Sequence, residues 1–168
     1  EPVCRWIRQQ SGGKTRIVHI GRPWANPENF DLVVTTPQYR LPQRENVLQN
    51  QLTLHQVSTQ RLAQAADNWR DRLAAYPAPR LALVIGGNSG PFTLGPKAAR
   101  RLLKQARALV AGSGGSLLIT TSSRTDPRVC AEVAAEQGVP CHFYQWQPGD
   151  TDNPYFGYLA LADAFVVT

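Results

Sequence analysis

At 168 residues and 42% apolar content, the chain is long enough to bury a hydrophobic core and too apolar to be intrinsically disordered. No apolar run approaches the ~20 residues needed to span a bilayer, and the opening Glu1-Pro2-Val3-Cys4-Arg5-Trp6 lacks the basic-then-apolar order of a secretion signal. The net charge of +6, with a pI near 9.7, admits anionic partners without naming one.

Taken in chain order, the first two strands are expected at Thr15–Ile20 and Phe30–Thr35, short β-branched or aliphatic runs between turn residues. A helix follows over Ser58–Tyr76, where Leu62, Ala66, Trp69, Leu73 and Tyr76 step by four and three. Next come a strand at Leu81–Ile85, a helix carrying Ala99, Leu102, Leu103, Ala106, Leu109 and Val110, and a strand at Leu117–Thr121. A short helix with Val129, Cys130, Val133 and Ala134 leads to a strand at Cys141–Trp146. A last helix with Phe156, Leu159 and Ala162 precedes a strand at Ala164–Thr168. Helices alternating with short strands of unbroken apolar character predict an α/β fold built on a parallel, doubly wound sheet. Gly95-Pro96, Asp126-Pro127 and Asn153-Pro154 each place a capping residue before a proline at the first helical position, so these helix starts should gather along one edge of the sheet.

The composition shifts at Tyr76-Pro77-Ala78-Pro79-Arg80, where proline ends one helix and a new strand begins. The boundary is expected there, dividing a strand-poor segment of residues 1–77 from residues 78–168. With so few strands in the first part, the two are expected to share one sheet or to associate with another copy of the chain. The sequence has no Met, which is expected of a processed or excised piece.

Cys4, Cys130 and Cys141 are odd in number and form no CxxC pair, so neither a disulfide framework nor a structural zinc site is expected, and a reducing, cytoplasmic compartment fits. His19, His55 and His142 share no metal-ligand spacing. The densest basic group, Lys97, Arg100, Arg101, Lys104 and Arg107, recurs at helical spacing opposite an apolar stripe, the pattern of a solvated face. No specific nucleic-acid partner is therefore expected, while an anionic small ligand or peripheral contact with an acidic membrane surface remains compatible.

Three segments carry the candidate chemistry. The strand Leu81–Ile85 runs into Gly86-Gly87-Asn88-Ser89-Gly90, where glycines let backbone approach a ligand and adjacent amides can form an anion-binding concavity. The alternative is a tight turn without a ligand, since neither GxGxxG nor a P-loop ending is present. After the next strand, Thr120-Thr121-Ser122-Ser123-Arg124-Thr125 gathers five hydroxyls and one guanidinium at a strand's carboxyl end. Here the alternative is that the hydroxyls serve the following helix, which Asp126 already caps. Third, Asp152-Asn153-Pro154-Tyr155 opens the last helix, with Asn153 able to hold an anion or a base carbonyl and Tyr155 to cover a planar ring; simple capping is the alternative.

The series Gly21-Arg22-Pro23, Phe30-Asp31-Leu32-Val33-Val34, Asn46-Val47 and Ile85-Gly86-Gly87-Asn88-Ser89-Gly90 resembles a family named after plant mitochondrial-fission proteins. Thr120-Thr121-Ser122-Ser123-Arg124-Thr125, Asn153-Pro154-Tyr155, Leu159-Ala160 and Ala162-Asp163 continue the resemblance over nearly the whole chain. Bacterial members are often labelled nucleoside-diphosphate-sugar epimerases, yet this sequence has neither GxxGxxG nor a Tyr-x-x-x-Lys pair. The family is similar to glycosyltransferases of the B fold, in which two Rossmann-like domains face a cleft.

The resemblance implies that residues 1–77 are part of an acceptor-side domain, with Gly21, Arg22 and Pro23 toward the cleft. It likewise implies that residues 78–168 form a nucleotide-sugar-binding domain truncated at its C-terminal side. Gly86, Gly87, Asn88, Ser89 and Gly90 would lie against a donor diphosphate, Arg124 would neutralise it among Thr121, Ser122, Ser123 and Thr125, and Asn153, Pro154 and Tyr155 would line the nucleobase. A metal-independent glycosyltransferase activity is implied, in which helix dipoles and basic residues offset the leaving diphosphate, so no metal and no cofactor are expected. No Asp, Glu or His stands out as a catalytic base. The competing expectation is a non-catalytic module that keeps the fold as a protein- or membrane-interaction surface.

Overall fold

The computed structural model describes residues 1–135 and 138–168. It divides into two compact units, Glu1–Gln56 and Val57–Thr168. The segment that follows Gln56 therefore packs with the second unit and not, as the proline boundary near residue 77 implied, with the first.

In the first unit, helix α1 (Pro2–Gln10) precedes three parallel strands, β1 (Val18–Ile20), β2 (Leu32–Thr35) and β3 (Val47–Gln49), in the order β1-β2-β3. Ile17, Phe30 and Val33 form its buried core, with Ala25, Leu41 and Val47 packed around them. Asp31 holds the N-terminal side together: it pairs with Arg8 and Arg16 and accepts the Ile17 N–H at 2.6 Å. Helix α1 buries none of its residues and is held by polar ties, Arg8 to the Thr15 carbonyl at 3.1 Å and Glu1 to the Trp24 and Ala25 amides at 2.8 and 2.9 Å.

The second unit is a four-stranded parallel sheet in the order β6-β5-β4-β7, formed by β4 (Arg80–Val84), β5 (Ser116–Thr120), β6 (Cys141–Tyr144) and β7 (Ala164–Val167). Four further helices belong to it: α2 (Thr59–Trp69), α3 (Pro96–Ala111), α4 (Pro127–Ala134) and α5 (Tyr155–Leu161). The two sheets are separate, so of the two expected arrangements the single shared sheet is not formed.

Strand alternation explains the two layers. Leu81, Leu83 and Ile85 of β4 and its end, with Leu117 and Ile119 of β5, pack against Ala99, Leu103, Ala106 and Val110 of α3 and Val129 and Val133 of α4. Ala82 and Leu118, between them in sequence, face the other way onto Trp69, Leu73 and Tyr158. Every residue of β5 is buried, as a strand covered on both faces requires. Each fully buried leucine or isoleucine in these layers contributes about 1.5–3 kcal/mol. The basic residues Lys97, Arg100, Arg101 and Lys104 lie on the exposed side of α3, and Arg100 pairs with Glu132 at 3.2 Å. The fold is thus a Rossmann-like parallel α/β arrangement.

Helix α5 differs from its sequence reading. Its buried face is Gly157 and Tyr158, not Phe156 and Leu159, because the helix must meet α2 closely. A Cβ on Gly157 would lie 2.4 Å from Trp69 Cγ, so only glycine admits the indole there.

Candidate functional site

Strand order sets the place where a ligand site can form. After β4 the chain moves outward through β5 to β6, then returns to lay β7 on the other side of β4. The connection leaving β4 runs toward β5 while β7 lies on the opposite side of β4, so the carboxyl ends of β4 and β7 border the kind of crevice where open α/β sheets take ligands.

The glycine turn stands at that crevice. Gly86 donates its N–H to Thr168 Oγ1 at 2.9 Å. Gly90, at φ +57°, lets the chain reverse so that Ser89 and Phe92 exchange N–H···O bonds of 3.0 and 3.1 Å, and Asn88 Oδ1 accepts the Leu94 N–H at 2.8 Å. With the Gly86 and Ser89 amides already engaged, at most Gly87, Asn88 and Gly90 can offer N–H groups to an anion.

The second segment lies against the first. Thr125 is buried, and its hydroxyl reaches the Ile85 and Gly86 carbonyls at 3.0 and 2.8 Å while accepting the Ser122 N–H at 2.9 Å. Thr121 Oγ1 accepts the Trp146 N–H at 2.9 Å, and Ser122 Oγ accepts the Arg124 N–H at 3.2 Å. These three hydroxyls stitch loops together. Ser123 and Arg124 are the exposed members of the segment, on the rim beside Gly87.

The third segment joins part of the second in a cavity of about 610 Å³ at the carboxyl ends of β4 and β5, on the α2–α5 face. Thr121, Ser122, Asn153 and Tyr155 line it together with Arg61, Trp146, Asp150 and Phe156. Among the described residues, the glycine turn, Ser123, Arg124, Thr125 and Pro154 do not line it, and Pro154 is fully buried. Helix α5 starts at Tyr155, one residue later than Pro154 at its first turn would require, and Asn153 Oδ1 accepts the Tyr155 N–H at 2.9 Å. Asn153 thus holds the first amide of the helix and also lines the cavity.

Trp146, Asp150, Phe156 and Arg61 did not stand out in the sequence. Trp146 read as strand, but β6 ends at Tyr144 and the Trp146 backbone turns to Thr121. Phe156 read as core, yet it is half-buried, with the Arg61 guanidinium carbon 3.9 Å from its ring centroid. Asp150 accepts the Tyr144 hydroxyl at 2.7 Å and the Asp152 N–H at 2.8 Å. Burial, followed by this bond to Asp150, pushes the Tyr144 phenol up to about 12, so it remains a neutral donor.

Cys141 is a poor candidate for chemistry. Burial pushes the Cys141 thiol up to about 11, which suppresses the thiolate. No group of three or more His, Cys, Asp or Glu close enough to hold a metal ion occurs among the described residues. No helix there is long and apolar enough to cross a membrane.

Comparison with known proteins agrees with the motifs. The profile of the family described as mitochondrial fission ELM1 matches residues 1–168. The chain is 30% identical to the mitochondrial fission protein ELM1 of Arabidopsis thaliana over 188 aligned positions, covering 99% of this chain and 44% of that protein. It therefore spans less than half the length of that relative. No solved structure matches the chain significantly. The chain belongs to the mitochondrial fission ELM1 family.

Proposed function

We propose that the second unit binds a nucleotide-diphosphate sugar at its carboxyl strand ends, as part of a glycosyltransferase-like protein. The observation that carries this reading is the β4–β5 cavity, which Trp146, Tyr155 and Phe156 line together with Asp150 and Asn153. Its volume lies within the range of small-ligand sites, about 300–1,000 Å³. Aromatic faces suit a planar base, and a carboxylate beside an amide suits its N–H and carbonyl edge or ribose hydroxyls. The diphosphate would run from this cavity toward Gly87 and Asn88 at the β4–β7 crevice, within reach of Arg124 on the same rim.

A second reading rests on Asp150. It is the only carboxylate lining the cavity among the described residues, and both its oxygens already accept hydrogen bonds. That arrangement orients a ligand better than it removes a proton, which favours binding without catalysis by this chain. The Arabidopsis relative is named for mitochondrial fission, which fits a module that uses its fold for interaction.

Isothermal titration of UDP, GDP, CMP and UDP-glucose into the full chain tests the binding. At least one should bind, and Asn153→Ala and Trp146→Ala should each weaken it roughly tenfold or more, equivalent to about 1.4 kcal/mol. Arg124→Ala should reduce it roughly 10- to 100-fold. No binding of any nucleotide by the folded chain would remove this reading in favour of the interaction module.

A further inference from the structure

The loop between β6 and α5 carries a carboxylate that is held from several sides. Asp150, half-buried in the wall of the β4–β5 cavity, accepts the Tyr144 hydroxyl through one oxygen at 2.7 Å and the Asp152 N–H through the other at 2.8 Å. Asp152 is itself fixed, because its two oxygens receive the Arg72 guanidinium in a fork of 2.6 and 2.7 Å. Arg72 in turn lies over the Trp69 ring, 3.6 Å from its centroid. The acceptor is therefore positioned before any ligand arrives, as a recognition site requires.

These bonds leave a defined capacity. A carboxylate offers about four lone-pair sites, so each Asp150 oxygen can accept once more, and neither can donate. Closing the loop does not by itself call for a carboxylate. An asparagine could accept the Asp152 N–H through its oxygen and donate to the Tyr144 hydroxyl, which can turn to receive it. Asn153, in the same wall, has the opposite polarity to offer. Its Oδ1 already takes the Tyr155 N–H at 2.9 Å, so the unengaged side of its amide, among the described residues, is the donor side.

We propose that the base selected by this cavity is guanine, so that its ligand is a guanine nucleotide-diphosphate sugar; the assignment rests on the nucleotide reading of the same site. Guanine presents, in order, a carbonyl oxygen, a ring N–H and an exocyclic amine. Its two adjacent donors match the two oxygens of Asp150, and its carbonyl matches the Asn153 amide. Uracil has a single N–H between two carbonyls, so one of them would oppose the second carboxylate oxygen. Adenine and cytosine place an acceptor nitrogen beside their amine, with the same conflict. A site built to bond a ligand N–H rejects analogues that lack it, because its own polar groups are then left unpaired. Trp146, Tyr155 and Phe156 supply apolar area for any of these rings and do not choose among them.

Isothermal titration of the full chain with GDP, UDP, CDP and ADP tests this without a variant. GDP should bind at least tenfold more tightly than the other three. Asp150→Asn is the second test, because its amide keeps one acceptor and turns the other into a donor. It should bind GDP at least tenfold more weakly than the parent. It should also prefer xanthosine diphosphate, in which a carbonyl replaces the exocyclic amine, whereas the parent should prefer GDP. No binding of any nucleotide would remove the nucleotide reading and this assignment with it. Nucleotide binding without preference for GDP would overturn the guanine assignment alone. So would an Asp150→Asn variant that binds GDP as the parent does or still prefers it to xanthosine diphosphate.

Discussion

Gly87 and the Arg124 carbonyl are in such close contact that a Cβ added to Gly87 would sit 1.9 Å from that oxygen. The glycine is thus demanded by the fold itself, because the loop after β4 packs directly on the loop after β5. A ligand requirement, if added, acts on a position that sterics have already restricted.

Gly87→Ala should therefore destabilise the chain by about 1–3 kcal/mol, since the obstruction is backbone and cannot rotate away. Gly112→Ala is the matched control: φ is −67° and nothing lies within 4 Å of its added Cβ. It should be neutral or stabilising by up to about 1 kcal/mol. Urea denaturation of both variants checks the contrast, and equal midpoints would contradict it.

Gly157→Ala should also destabilise, although alanine is about 1 kcal/mol the better helix former. The added methyl would meet the rigid Trp69 indole at 2.4 Å and push α2 from α5. A net loss of roughly 1–3 kcal/mol is expected, with a changed near-UV signal from Trp69. A rise in melting temperature would show that the helices have room to separate.

Stability should fall on mild acidification because of His142. Its ring is half-buried among Trp69, Tyr76 and Tyr158, with centroids 6.0, 5.2 and 5.7 Å away, and it bonds the Tyr158 hydroxyl. Burial first, and the Arg72 charge second, hold its pKa below the ordinary 6.5. The unfolded chain then binds this proton more readily, so stability is complete above the unfolded value and declines as pH drops from there toward the folded one. Asp126 and Asp152, whose carboxylates Arg128 and Arg72 hold below 3.8, act only in a more acidic window. Denaturation between about pH 7.5 and about pH 5 should show the decline in the parent and a flatter profile in His142→Gln. An unchanged slope in the variant would assign the decline to other groups.

The second unit was legible in the sequence because its information is local. Leu81–Ile85 and Leu117–Thr121 are apolar runs between turns, and Asp126 does cap its helix, accepting the Arg128 N–H at 2.8 Å. The omissions are elements held by distant partners. Strand β3 follows a proline and two charged residues, and is positioned by the Asn46 amide bonding the Pro27 and Phe30 carbonyls at 2.9 and 3.0 Å. Helix α1 has no buried stripe to announce it. The same distinction governs the candidate site. Glycines and hydroxyl clusters were visible as composition, but their roles in loop stitching were not. Trp146, Phe156 and Arg61 became cavity residues only through a strand that stops early and a helix that turns another face inward.

The pairing of α2 with α5 also fixes the order in which the second unit can be completed. Trp69 and Leu73 lie before the first strand of their sheet, while Gly157 and Tyr158, which complete their burial, lie before its last. On a growing chain, α3 and α4 can settle on β4 and β5 as they emerge, but the opposite layer must wait for α5. Closing so long an interval delays the contact on entropic grounds. Trp69 is therefore expected to stay hydrated until late, and in a variant that keeps it as the sole tryptophan its fluorescence should follow the final closure of this layer rather than the first collapse of the sheet.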